Sequence, residues 1–338
     1  MRSLSTKTVL SFLLSVLLLT PVAAHSQFKS FRIPTNNSQP EGITLGPDGN
    51  MWFAEAAANQ IGRIDPKGKI TEFVVPQSGS APTDIVAGAD GALWFTEASG
   101  FPEGIGRVTT SGVFTGFAPK CAGGQPCVVG GIPVNSLTPT GIAATPDGLI
   151  WFTDRGFNSI VKLDPATGIM TFFVIPSNGQ PTAITLGPDG ALWFCEGLTE
   201  MIGSMTEAGL FTLFGPVTGP NDPINITTGP DGNLWFVNKF DNIIGRVTPS
   251  GGITEFTVPT ANAQPQAITA GPDGNLYFTE PFINMIVQIT PNGVFTDVQA
   301  IKPAGGPPAM PFGIAGDAAR NLWMTQNGDN KISRLPIP

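Results

Sequence analysis

The sequence predicts an all-β protein: a seven-bladed β-propeller with four antiparallel strands per blade. Three observations carry this. A turn phrase built on Pro-Asp-Gly or a close variant returns seven times, its aspartates at Asp48, Asp90, Asp147, Asp189, Asp231, Asp273 and Asp317, in steps of 42, 57, 42, 42, 42 and 44 residues. A fixed period of this size marks a repeat architecture. Each repeat holds four short runs of β-branched and aromatic residues bounded by turn residues, and none shows a helical apolar period over a useful length. One large ring recurs at one place, as Trp52, Trp94, Trp151, Trp193, Trp235, Tyr277 and Trp323, which account for every Trp and Tyr in the chain. A bulky ring at one point per blade is what packing between neighbouring sheets needs, and four-stranded units repeated radially describe a propeller.

The first repeat shows the elements. Its strand segments are Ile43–Leu45, Met51–Ala54, Ile61–Ile64 and Ile70–Val75. Pro47-Asp48-Gly49 closes the first hairpin, because Pro presets φ and Gly accepts positive φ. The last repeat ends after its third strand, whereas Phe28–Pro34 reads like a fourth strand without a blade. The N-terminal segment is therefore expected to complete blade seven and remove two open sheet edges.

In front of the repeats, residues 1–26 read as a secretory signal peptide: Arg2 and Lys7 start it, Val9–Leu19 is apolar, and small residues follow. Cleavage after Ala24 or after Ser26 fits. Residues 27–338 then form a single domain, and the expected location is secreted or periplasmic. Without Arg2 and Lys7 there remain 15 basic residues against 25 acidic ones. No basic patch appears, so nucleic acid is not an expected partner. No later stretch is long and apolar enough to span a membrane. A monomer is expected, with a small amphipathic ligand or a protein as partner.

The 57-residue step reflects an insertion at 117–139 that carries Cys121 and Cys127. In an oxidising compartment these two would pair, the alternative being two free thiols. Cys195 stands where other repeats have Thr96, Thr153 or Thr279, and without a histidine partner it reads as a buried structural thiol.

Topology puts the starts of the first strands, the ends of the second and the loops after them on one face around the axis. Two rings are expected at this channel mouth. Following Pro come Glu41, Thr83, Thr140, Thr182, Ile224, Gln266 and Phe312; ending the second strands come Glu55, Glu97, Asp154, Glu196, Asn238, Glu280 and Gln326. Converging carboxylates suit magnesium or calcium, or a general base. The plainer reading is that these acids belong to the repeat and pair with Arg63, Arg107, Arg246, Arg334 or backbone donors. Phe101, Phe157, Phe240 and Phe282 join Phe312 as an expected aromatic rim, with the cysteine loop as a lid on the same face.

The phrases GITLGPDGNMWFAE, NQIGRIDPKGKITEF and QAITAGPDGNLYFTE resemble the streptogramin lyase family over residues 28–338. The resemblance implies a seven-bladed propeller and magnesium-assisted elimination that opens a cyclic depsipeptide. It further implies two His and two Glu in the last two blades. The matching positions here hold Gln266, Met310, Phe312 and Asn327, or Gln326 if the last loop slips by one. The only histidine, His25, lies in the signal segment. That leaves no internal imidazole for proton transfer near neutral pH. It also removes a Ser–His–Asp triad and a histidine zinc site. Three readings follow: a noncatalytic binding propeller using the channel face, a metal-assisted lyase or hydrolase using channel carboxylates with Glu41 as base, and a structural propeller of the cell envelope.

Overall fold

A computed structural model describes residues 28–99, 104–219, 223–301 and 307–337. The signal segment and Phe101 lie outside these. Seven four-stranded antiparallel sheets follow one another around an axis, each ordered from the inner strand outwards. Blade 1 is Pro40–Leu45, Met51–Glu55, Gln60–Ile64 and Ile70–Val74. The ring closes as expected: Lys29–Arg32 is the outer strand of blade 7, pairing with Lys331–Pro336 in the register Phe31 to Ile332.

Period-2 alternation in the second strand builds the layers between blades. Trp52 and Ala54 point one way, into a cluster with Ile85, Leu93 and Phe95 of blade 2. Phe53 points the other way, joining Trp323 and Ile332 of blade 7. Each blade thus sets its Trp side against the Phe side of the next. Glycine in the third strand makes room for that Phe: a Cβ on Gly62 would lie 2.1 Å from the Phe53 ring. The Asp-to-Trp spacing, four residues in blades 1, 2, 4 and 5 and six in blade 7, has a second purpose. Trp52 Nε1 donates to Asp48 of its own turn at 2.9 Å, and Trp94, Trp193, Trp235 and Trp323 repeat the contact. The indole N–H is satisfied while the ring stays buried.

Cys121 and Cys127 form a disulfide. The insertion around them is not a lid. Its carbonyl at Lys120 accepts the Met170 N–H from the outer strand of blade 3, and Lys120 Nζ donates to the Thr167 carbonyl. Cys127, Val134 and Leu137 are buried between blades 2 and 3. The loop turns away from the axis because its apolar residues find a crevice there. Among the described residues, no helix is long and apolar enough to cross a membrane.

Candidate functional site

The first strands begin earlier than their β-branched runs suggest, at the proline. In blade 1, Pro40 pairs with Glu55 and Ile43 with Phe53, so Glu41 and Gly42 stand in a bulge between them. Blades 2, 3, 4 and 7 shift register at the same place. A bulge releases its residues from the ladder and re-aims their side chains, here towards the axis. The residues after proline accordingly surround a cavity of about 450 Å³: Glu41, Thr83, Thr140, Thr182, Ile224, Gln266 and Phe312. The first expected ring is where the sequence places it.

The next residue along also reaches the cavity, and here sequence reasoning missed Asp84 and Asn225. Their signal was present: other repeats have Gly42, Gly141, Ala183, Ala267 and Gly313 at this point. These small residues permit close approach of neighbouring inner strands. Asp84 accepts the N–H groups of Ile85 at 2.9 Å and Ile142 at 3.1 Å, tying blade 2 to blade 3. Asn225 Oδ1 accepts Ile268 N–H of blade 6 at 3.1 Å. Further ties between blades come from Thr153, Thr279 and Thr325, whose hydroxyls donate to the carbonyls of Thr182, Phe312 and Glu41 in the following blade. Cys195 occupies the same place in blade 4, fully buried, and burial pushes its thiol up.

The second expected ring is not at the mouth. Glu55, Glu97, Asp154, Glu196, Asn238, Glu280 and Gln326 are all buried and none lines the channel cavity. Each still belongs to its strand, as Glu55 pairs with Gln60. Alternation therefore sends it to the Phe53 side of the sheet, over Gly62, beneath the chain arriving from the preceding blade. Asp154 accepts the Thr138 and Phe157 N–H groups at 3.0 and 2.9 Å, and Glu196 accepts the hydroxyls of Ser177 and Thr199. Their partners are these connecting segments and not the arginines. Arg63 and Arg107 pair with the turn aspartates Asp48 and Asp90 instead, and lie over Trp52 and Trp94. Glu97 borders a separate pocket with Phe95, Phe114 and Gly116.

Burial dominates the electrostatics. It pushes Glu41 up to about 7, with help from Asp84, and pushes Asp84 up to about 6 against the two amides that hold its charge. In blade 1, burial and Glu72 push Glu55 up to about 8; in blade 6, burial and Asp297 push Glu280 up to about 7. Cations on the channel face include Arg155 and Lys239. Arg155 borders the cavity and donates to Gln180 at 3.2 Å, while Lys239 Nζ donates to Gln266 Oε1 at 2.7 Å. Phe240 and Phe282 are 53% and 59% exposed on the loops of blades 5 and 6, joined by Leu198 at 57% on blade 4. Phe157 instead packs on Phe172. Among the described residues, the apolar part of the rim thus lies along blades 4, 5 and 6.

Magnesium, which the resemblance implies, does not fit the residues at the matching positions. Met310 and Phe312 offer no oxygen donor. Among the described residues, no group of three or more His, Cys, Asp or Glu converges as ligands would.

Fold and cavity together define a class: a seven-bladed propeller whose bulged inner strands surround a small-molecule-sized hollow on the axis. The particular relationship follows from comparison. The virginiamycin B lyase family profile matches residues 19–132 and 128–337, and the chain belongs to that family. A streptogramin B lyase of known structure is 35% identical, with a TM-score of 0.80, over 91% of this chain and 96% of that one. Virginiamycin B lyase from Staphylococcus aureus is 34% identical, with a TM-score of 0.81, over 92% of this chain and 99% of its own. A catalytically inactive His-to-Ala variant of the S. aureus lyase, solved with quinupristin, matches equally well. The extracellular domain of a hybrid two component system from B. thetaiotaomicron, 17% identical with a TM-score of 0.68, covers 89% of this chain and 40% of that one and shares the fold alone.

Proposed function

We propose that the protein is an exported, noncatalytic member of its family that binds a small amphipathic ligand in the axial cavity. One observation carries the reading. The cavity persists, but the positions implied for two histidines and two glutamates hold Gln266, Met310, Phe312 and Asn327, and residues 28–337 contain no histidine at all. Loss of a single histidine leaves the S. aureus relative inactive, and an amide or a benzyl group does not take up a proton at neutral pH. The cavity lies within the range of about 300–1,000 Å³ usual for small ligands. The proposed state is a secreted or periplasmic monomer.

The test pairs binding with turnover. The protein is incubated with quinupristin and a panel of cyclic depsipeptides, chromatography follows ring opening, and thermal denaturation follows binding. The expected result is a saturable rise in Tm with no opened product. Turnover abolished by Gln266→Ala would overturn the proposal. A second reading has one observation in its favour: Glu41, held near neutrality in the cavity, has the poise of a general base. Turnover abolished by Glu41→Gln would establish that reading instead. The ring from Glu55 to Glu280 no longer supports it, because those acids are enclosed within the blades.

A further inference from the structure

We propose that the cavity recognises its ligand by a protonated amine, seated against the carboxyls of Glu41 and Asp84, with the ligand's apolar body towards Phe312 and Ile224. This rests on the channel-binding reading and names its ligand class.

The repeat supplies an internal control. Asp84 braces the next blade by accepting an amide N–H, and Asn225 performs the same task at the same position with a neutral oxygen. Three other blades manage there with glycine. The fold therefore asks for an acceptor at most, and the negative charge at Asp84 exceeds what the brace requires. Glu41 is likewise not dictated by the repeat, whose other blades place Thr, Ile, Gln or Phe at that point. No described hydrogen bond reaches the Glu41 carboxyl, whereas its carbonyl is used by Thr325.

The two acids come from adjoining blades and repel one another across the same hollow. Arg155 and Lys239 on this face are turned to other partners, Gln180 and Gln266. A ligand cation between the carboxyls would relieve the repulsion and replace water lost on burial with charge-assisted hydrogen bonds. The rest of the lining supplies the amphipathic complement, since Phe312, Ile224, Ile43 and Ile268 offer apolar surface.

The chemistry makes a distinctive prediction. Glu41 is partly protonated near pH 7, and an arriving ammonium favours its charged form. Amine binding therefore releases a fraction of a proton, which a neutral ligand does not.

Calorimetric titration of the full chain with three probes of one apolar body decides the matter: 4-phenylbutylamine, 4-phenylbutan-1-ol and 4-phenylbutyrate. At pH 7 the amine is expected to bind roughly tenfold or more tightly than the alcohol. Its heat should differ between buffers of unequal ionisation enthalpy. Glu41→Gln and Asp84→Asn should each bring the amine to about the alcohol's affinity; the second can keep the Ile142 brace through its one amide oxygen, on the precedent of Asn225, while giving up the acceptor for Ile85, and a cooperative unfolding transition verifies folding. Equal binding of amine and alcohol, tighter binding of the carboxylate, or an amine affinity indifferent to both substitutions would overturn the amine proposal while leaving channel binding intact. Absence of binding by all three probes, with quinupristin and the depsipeptides also silent, would overturn channel binding and the amine proposal together.

Discussion

Two rings of side chains lie 14 residues apart in every blade and meet across its first hairpin, as where Pro40 beside Glu41 pairs with Glu55, and they behave in opposite ways. The ring after proline varies from Glu to Thr to Phe and faces an open hollow. The ring at the end of the second strand is acidic in five blades, Glu55, Glu97, Asp154, Glu196 and Glu280, and is buried in all seven. The repetition that made the second ring look like a converging site is the mark of a repeated structural task. The irregular ring is where the blades differ, and a single ligand on a sevenfold axis needs that difference.

The largest test of this contrast is Asp154→Ala. The carboxylate accepts the N–H groups of Thr138 and Phe157 and fastens the incoming chain to blade 3. Its loss leaves those two part-buried hydrogen bonds without their charged acceptor, at a cost of about 2–4 kcal/mol, read from the denaturant midpoint. A cost below about 0.5 kcal/mol would show that the buried ring is not structural.

A smaller effect, of opposite sign, is expected at Glu55. This carboxyl lies beside Glu72 and is pushed up from 4.5 to about 8. Below pH 4.5 it is protonated both folded and unfolded, and the protein carries no penalty. As pH rises towards 8 the unfolded chain ionises while the folded one resists, so the folded state binds more protons and stability falls. Glu55→Gln should flatten this decline and raise stability at pH 8 by roughly 1–3 kcal/mol, allowing for screening. Glu280→Gln should act likewise with a window ending near 7. A stability profile that rises between pH 5 and 8 by an amount that Glu55→Gln leaves unchanged would contradict the assignment.

The contrast also shows what the sequence could and could not reveal. The blades, their number, the ring closure by Phe28–Pro34 and the Cys121–Cys127 pairing were legible because each rests on local pattern or on a count. The position of Glu55 was harder. It follows Trp52 by three residues, so strand alternation places it opposite the Trp, with Phe53; that could have been read, had the strand been carried to its last residue. The bulge at Glu41 and Gly42 could not, because it depends on Pro40 pairing with Glu55 across the hairpin. The cysteine insertion was misplaced for a similar reason: its path is set by the Lys120 to Met170 contact, 50 residues apart in sequence.

The smallest expected effect on stability, and the sharpest on the comparison, belongs to Gln266→Ala. Gln266 sits in the variable ring, and its side-chain partner is the Lys239 ammonium, which lies over the Phe240 ring on the exposed rim. Removing the amide leaves no buried donor stranded, since Lys239 has solvent and Phe240 beside it. The change in unfolding free energy should stay within about 0.5 kcal/mol, far from that of Asp154→Ala. Ligand affinity should change nonetheless, because the cavity gains volume and Lys239 gains freedom to approach the Glu41 side of the hollow. For an amine the direction is a loss: a mobile ammonium would compete with the ligand's own for the same carboxyls. Restoring the amide in Gln266→Asn should recover part of the affinity. If Gln266→Ala destabilises the fold as much as Asp154→Ala does, the two rings are not divided between structure and binding.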